Sequence, residues 1–201
     1  GHCSYCRRGR PNLCDDWNAT GDTVDGGFAE YVTTPADNVY VVGDALTPPQ
    51  AAMIEPVSCA VHGIDRIRVT PGDDILMYGA GSMGLVLGQL LRQAGGSRIH
   101  VVDLKAERLP RAEKLFADAT ATDADEFDRD GYDLVVDVTG AIPAIEDGFD
   151  RVRRGGTLFV FGVANPNKTA ALSPFRIYND EIDVIGSMAV CNSYGKARDL
   201  V

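Results

Sequence analysis

The sequence is poor in basic residues. Nineteen Lys and Arg stand against 29 Asp and Glu, giving a formal net charge of −10 over 201 residues. An acidic surface repels a phosphate backbone, so this shortage argues against a nucleic-acid partner. Long apolar runs are also missing. No stretch approaches the roughly 20 residues that cross a bilayer, which excludes a membrane-spanning helix. The five cysteines are too few for a disulfide scaffold of this size. No internal repeat or low-complexity tract stands out. No leader segment is visible, although Gly1 is not a natural start and a lost leader stays open. What remains is an ordinary globular composition, 45% hydrophobic and 24% charged. The length suits one large domain or two small ones.

What is present begins with cysteine. The opening stretch "GHCSYCRRGRPNLC" places Cys3, Cys6 and Cys14 in one short segment. Thiolates at two-residue spacing can converge on one tetrahedral zinc. Free buried thiols, or three ligands with a remote fourth, fit the same spacing. His2 is adjacent to Cys3 and badly placed to share its metal. Tight clustering favours metal over disulfide, and with the nucleotide motif described next it points to a cytoplasmic protein.

The rest of the chain changes character near residue 62. Before it, "GGFAEYVTT" (26–34) and "NVYVV" (38–42) read as short strands, and 48–64 as a helix interrupted by Pro56. After it, apolar strands alternate with helices: strands at 74–79, 98–103, 133–140, 156–162 and 182–188, helices at 82–95, 105–117 and 142–152. Strands of nearly continuous apolar character between helices predict a doubly wound parallel α/β sheet. The expected division is 1–62, 63–190 and 191–201.

"GAGSMG" (79–84) lies between a strand and a helix. There Gly79 permits a tight turn, Gly81 lets the backbone approach a pyrophosphate, and Gly84 packs helix on strand, with Ser82 and Met83 opening the helix. The helix start offers free N–H groups to phosphates. Asp103, ending the next strand, suits the adenosine ribose hydroxyls and repels a 2′-phosphate, which favours NAD over NADP. Lys105 and Arg108 argue the other way. A plain parallel sheet with a glycine turn is the bland alternative. Residues 126–137 imitate a calcium loop, but an apolar strand runs through them and the end positions are wrong, so they read as a solvated acidic loop.

Together, these stretches resemble the medium-chain zinc-dependent alcohol and polyol dehydrogenases, in the sorbitol (L-iditol) dehydrogenase-like branch. The likeness also covers "GGFAEYV" (26–32), "AMIEPVSCAVHG" (52–63), "VVDLKAERL" (101–109), "VVDVTG" (135–140) and "GGTLFVFG" (155–162). It implies a Rossmann sheet preceded by part of a β-rich GroES-like catalytic domain. It also implies a structural zinc bound by four cysteines. Cys3, Cys6 and Cys14 match the last three, and the first would lie one residue before Gly1. Other ligands of a catalytic zinc would precede this chain.

Further expectations follow from the resemblance. Glu55 would sit at the catalytic zinc, directly or through a water; the bland reading is a helix-end Glu paired with Arg. Val138, Thr139 and Gly140 would border the adenosine side. Phe161, Gly162 and Val163 would lie beside the nicotinamide, with the loop after 186–188, and Arg108 near the adenosine end. His62, Cys59 and Cys191 read as core residues. Ala189 and Val190 stand where sorbitol-type enzymes carry an Arg-Tyr pair, which puts sorbitol itself in doubt. The implied function is zinc-dependent hydride transfer from a secondary alcohol or polyol to NAD, by a homo-oligomer (dimer or tetramer) of small-molecule specificity. Threonine, glucose or simple alcohol oxidation on the same fold is the alternative, as is a non-catalytic dinucleotide-binding module.

Overall fold

The computed structural model describes residues 1–201. In chain order the helices are α1 (Ser4–Arg7), α2 (Pro48–Ala52), α3 (Ile54–Arg66), α4 (Ser82–Ala94), α5 (Leu109–Leu115), α6 (Ile142–Asp150), α7 (Pro174–Asn179) and α8 (Tyr194–Leu200). The strands are β1 (Asp74–Tyr78), β2 (Arg98–Val102), β3 (Ala119–Ala121), β4 (Tyr132–Asp137), β5 (Val152–Val160) and β6 (Asp183–Gly186). Packing divides the chain into two compact units, Ala60–Ser187 and a second made of Gly1–Cys59 with Met188–Val201.

The larger unit is built on one six-stranded sheet in the order β3-β2-β1-β4-β5-β6. Every neighbouring pair is parallel. The central strands read as unbroken apolar runs because both faces are covered. Ile75, Met77, Ile99, Val101, Leu134 and Val136 point to one side and pack with Leu87, Leu91, Ala112 and Phe116. Leu76, Tyr78, Val135 and Leu158 point to the other and pack with Ile145 and Phe149. Each fully buried Leu, Ile or Phe contributes about 1.5–3 kcal/mol of transfer free energy, so these two layers hold the sheet. The strand order reverses between β1 and β4, and in open parallel sheets the crevice at such a switch point, beyond the strands' carboxyl ends, is where ligands bind.

One local expectation is corrected. Residues 26–34 and 38–42 form no ladder; the only pairing in that region is an isolated Thr20–Val24 bridge. Phe28 and Tyr31 are almost fully exposed. A strand needs a neighbour for its N–H and C=O groups, and no segment of this unit supplies one. The helical run from residue 48 is interrupted as expected, with the break at Met53, because Pro56 in the first turn of α3 has no N–H to offer the Ala52 carbonyl four residues back. α2 starts with a capping box in which Thr47 and Gln50 satisfy each other's backbone.

Candidate cofactor and metal sites

The glycine loop follows β1 directly. Gly79 has φ +109°, a conformation that L side chains rarely adopt. At Gly84 an added Cβ would lie 2.0 Å from the Gly79 carbonyl oxygen, so the first turn of α4 can close onto the strand only without a side chain there. Gly81 caps α4 in an extended conformation. Ser82, Met83 and Gly84 therefore present backbone N–H groups that the helix itself cannot use, at its positive end. Ser82 is exposed and Met83 half-buried.

Asp103 follows β2 and reaches back to this loop. Its Oδ2 accepts from the Ala80 N–H at 2.8 Å and from Arg108 Nη1 at 3.3 Å, and its Oδ1 accepts from the Lys105 N–H at 2.9 Å. Burial pushes the Asp103 carboxyl upward, but the Lys105 and Ala80 N–H groups and Arg108 outweigh it and hold the pKa below the ordinary value. Arg108 is half-exposed and also flanks Gly81: its Nη1 lies 3.9 Å from where a Cβ would stand there. The sequence motif names Gly79, Gly81 and Gly84 but gives no hint that Asp103 orders Ala80.

The loops after β4 and β5 complete the arrangement. Asp137, fully buried, accepts from the Thr139 N–H at 2.9 Å, the Thr139 hydroxyl at 2.5 Å and the Gly140 N–H at 3.0 Å. Its own carbonyl accepts from the N–H groups of Phe161 and Gly162, both at 2.9 Å. Thr139 Cγ2 also lies 3.0 Å from where a Gly79 Cβ would be. One buried residue thus ties these loops together beside the glycine loop, Asp137 holding Thr139 and Gly140 by its carboxylate and Phe161 and Gly162 by its carbonyl. Phe161 packs on Phe159 with ring centroids 5.9 Å apart, while Val163 is almost fully exposed. Asp137 escaped the sequence reading, although a carboxylate closing an apolar run was a usable signal. Residues 132–137 form β4, which leaves no loop there to wrap a calcium ion.

In the other unit, α1 turns Cys6 back toward Cys3, and the Pro11–Leu13 turn brings in Cys14. The three Sγ atoms lie within 4.8 Å of one another, with Cys3 and Cys6 at 3.6 Å. Zinc–sulfur bonds of about 2.3 Å in a tetrahedron place sulfurs roughly 3.8 Å apart, so the donor set fits zinc. The Cys6 and Asp15 N–H groups are the main reason the Cys3 thiol falls to about 7, whereas the Cys14 thiol, desolvation and Cys3 push Cys6 upward. A thiol that ionises near neutrality is what metal binding requires.

Glu55 lies exposed in the first turn of α3 and is not part of that cluster. The Cys59 thiol donates to its Oε1 at 3.3 Å. Cys59 keeps its proton, as expected of an inert structural thiol: burial, followed by the charge of Glu55, pushes it up to about 12. Tyr194, stacked on Tyr40 at 5.1 Å, is also pushed up to about 12 by burial and then by Glu55. His62 is buried. Cys191 is half-buried and hydrogen-bonds the Gly9 carbonyl at 3.4 Å.

The zinc-binding dehydrogenase profile matches residues 82–201, and that of the alcohol dehydrogenase GroES-like domain matches residues 1–44. D-arabinitol dehydrogenase 1 of Uromyces fabae is 39% identical over 97% of this chain and 59% of its own length. Sorbitol dehydrogenase of Bacillus subtilis is 32% identical over 100% of this chain and 60% of its own length. Among solved structures, one assigned as a zinc-binding dehydrogenase from Sinorhizobium meliloti 1021, bound to NADP, aligns with a TM-score of 0.93 at 31% identity. It covers 100% of this chain and 62% of that one. An alcohol dehydrogenase from Escherichia coli CFT073 in complex with NADH aligns at 0.88 with 25% identity, over 99% and 61%. The chain thus spans about three-fifths of the length of these relatives.

Proposed function

The chain belongs to the zinc-binding dehydrogenase family, and on that premise we propose that the whole protein oxidises a secondary alcohol or polyol with NAD. The observation that carries this reading is the set of loops at the sheet's switch point: Asp103 holds the glycine loop by its carboxylate, and Asp137 holds Thr139 and Gly140 by its carboxylate and Phe161 and Gly162 by its carbonyl. When bound, zinc acts as a Lewis acid on the alcohol oxygen and NAD accepts the hydride. The N–H groups of Ser82, Met83 and Gly84 hold the pyrophosphate. Asp103 Oδ2 is filled by Ala80 and Arg108, so Oδ1, with one lone pair left beside Lys105, takes a ribose hydroxyl. Thr139 and Gly140 border the adenosine side, and Phe161, Gly162 and Val163 the nicotinamide side. Cys3, Cys6 and Cys14 hold a structural zinc, and Glu55 serves the catalytic one.

NAD rather than NADP rests on Asp103, whose carboxylate repels a 2′-phosphate; Arg108 pulls the other way. Residues 1–62 belong to the catalytic domain, 63–190 to the dinucleotide domain, and 191–201 return to the first. Five free thiols suit a reducing, cytoplasmic setting, and no helix is long and apolar enough to cross a membrane. The open outer edge of β6, with Val184 half-exposed, suits a homo-oligomer, dimer or tetramer. Screening the full-length protein with NAD against polyols, secondary alcohols and threonine tests the reading. A polyol or secondary alcohol should be oxidised; turnover of threonine alone would reassign the substrate.

A further inference from the structure

Between β6 and α8 the chain passes through an irregular stretch, 188–193, in which Ala189 and Asn192 have φ of 47° and 54°. Such conformations cost free energy in non-glycine residues and persist only when their surroundings impose them. The surroundings are specific. The Asn12 side chain, only 6% exposed, donates from Nδ2 to the Met188 carbonyl at 3.0 Å. The Cys191 thiol and Asn192 Nδ2 both donate to the Gly9 carbonyl at 3.4 Å. At the far end, buried Ser193 donates from its hydroxyl to the Ser58 carbonyl at 2.7 Å, one turn beyond Glu55 on α3. Gly9 and Asn12 lie between Cys6 and Cys14 in the cysteine lobe.

We infer that Asn12 is a positioning residue: it fixes the 188–193 stretch, and with it Ala189 and Val190, to the metal-binding lobe, so that the lobe shapes substrate affinity more than cofactor affinity. The substrate half of this inference rests on the proposed function and on the resemblance that sets Ala189 and Val190 where sorbitol-type enzymes carry their substrate-binding Arg-Tyr pair. Without Asn12 the Met188 carbonyl loses its donor, and the stretch relaxes from its left-handed turns.

The test compares Asn12→Ala and the near-isosteric Asn12→Leu with the unmutated full-length protein. Amide hydrogen exchange across 188–193 is one readout; KM for the alcohol, the dissociation constant for NADH and zinc content are the others. Exchange should accelerate in 188–193 and KM should rise about tenfold, the equivalent of one lost buried hydrogen bond, while NADH affinity and zinc content hold. Unchanged exchange would overturn the inference, as would faster exchange with unchanged KM, or equal losses for NADH and alcohol. If the unmutated protein oxidises no alcohol, the proposed function fails, and exchange alone still decides whether Asn12 fixes the stretch.

Discussion

Two glycines three residues apart should respond in different ways to the same methyl group. At Gly84 an added Cβ would stand 2.0 Å from the Gly79 carbonyl oxygen and 3.0 Å from its carbon. An ordinary C···O contact is about 3.3 Å or more, so loop and helix must part by on the order of 1 Å. The obstruction is backbone, and Gly79 is already committed to φ +109°. Overpacking of this kind costs about 2 kcal/mol, or about 4–8 °C in Tm for a chain of this size. At Gly81 the added Cβ would meet only Arg108 Nη1, at 3.9 Å. Gly81→Ala should therefore stay within about 1 kcal/mol of the unmutated stability, the usual span for Ala at a helix cap. On the proposed reading that space admits the pyrophosphate close to the backbone, so NADH affinity should fall about tenfold or more. Thermal unfolding and calorimetric NADH titration of both variants provide the comparison. Gly84→Ala should lose stability and binding together, Gly81→Ala binding alone. A Gly81→Ala protein that binds NADH as tightly as the original would refute the placement of the pyrophosphate.

Other expectations follow from single side chains. Asp103→Ala should narrow the preference for NAD over NADP and loosen Ala80; tighter binding of NADP by the unmutated protein would overturn the role given to Asp103. Cys6→Ala should lower zinc content by about one ion per full-length chain, because a structural site needs its full set of ligands; unchanged stoichiometry would contradict the assignment. His100 is half-enclosed by Phe127 and hydrogen-bonded through Nδ1 to Tyr132 at 2.9 Å. Burial first, then Arg129 and Arg98, lowers its pKa, with Asp74 and Asp118 opposing. A depressed folded pKa contributes stability above the unfolded value of about 6.5 that is lost as pH falls toward the folded value. Tm should thus decline as pH drops below about 6.5, and His100→Gln should flatten that slope; an identical slope would exclude His100 as its source.

The sheet was legible because its central strands β1, β2 and β4 are buried on both faces and run largely through Val, Ile, Leu and Met. β3 was not: Ala119–Ala121 has low strand propensity and pairs only because the edge of β2 offers a ladder at His100–Val102. Helices α7 and α8 also escaped, being only six and seven residues long and carrying too little periodicity to register. In the opposite direction, 26–34 and 38–42 have strand-like alternation but no partner, and pairing, not pattern, makes a strand. The sites divide along the same line. Cys3, Cys6, Cys14 and the glycines stand at spacings fixed by local geometry, so sequence could find them. Ala80, Asn12 and the Asp137 carbonyl act through hydrogen bonds to residues that only the fold brings near. For Asn12, whose bond to Met188 spans 176 positions, no local signal exists.

The most direct measurement is NAD reduction by the full-length protein, with a secondary alcohol or polyol, before and after complete removal of zinc and again after its return. The account predicts NADH formation that disappears with the metal and comes back with it. Oxidation that persists undiminished without zinc, or no NAD reduction with any alcohol, would contradict it.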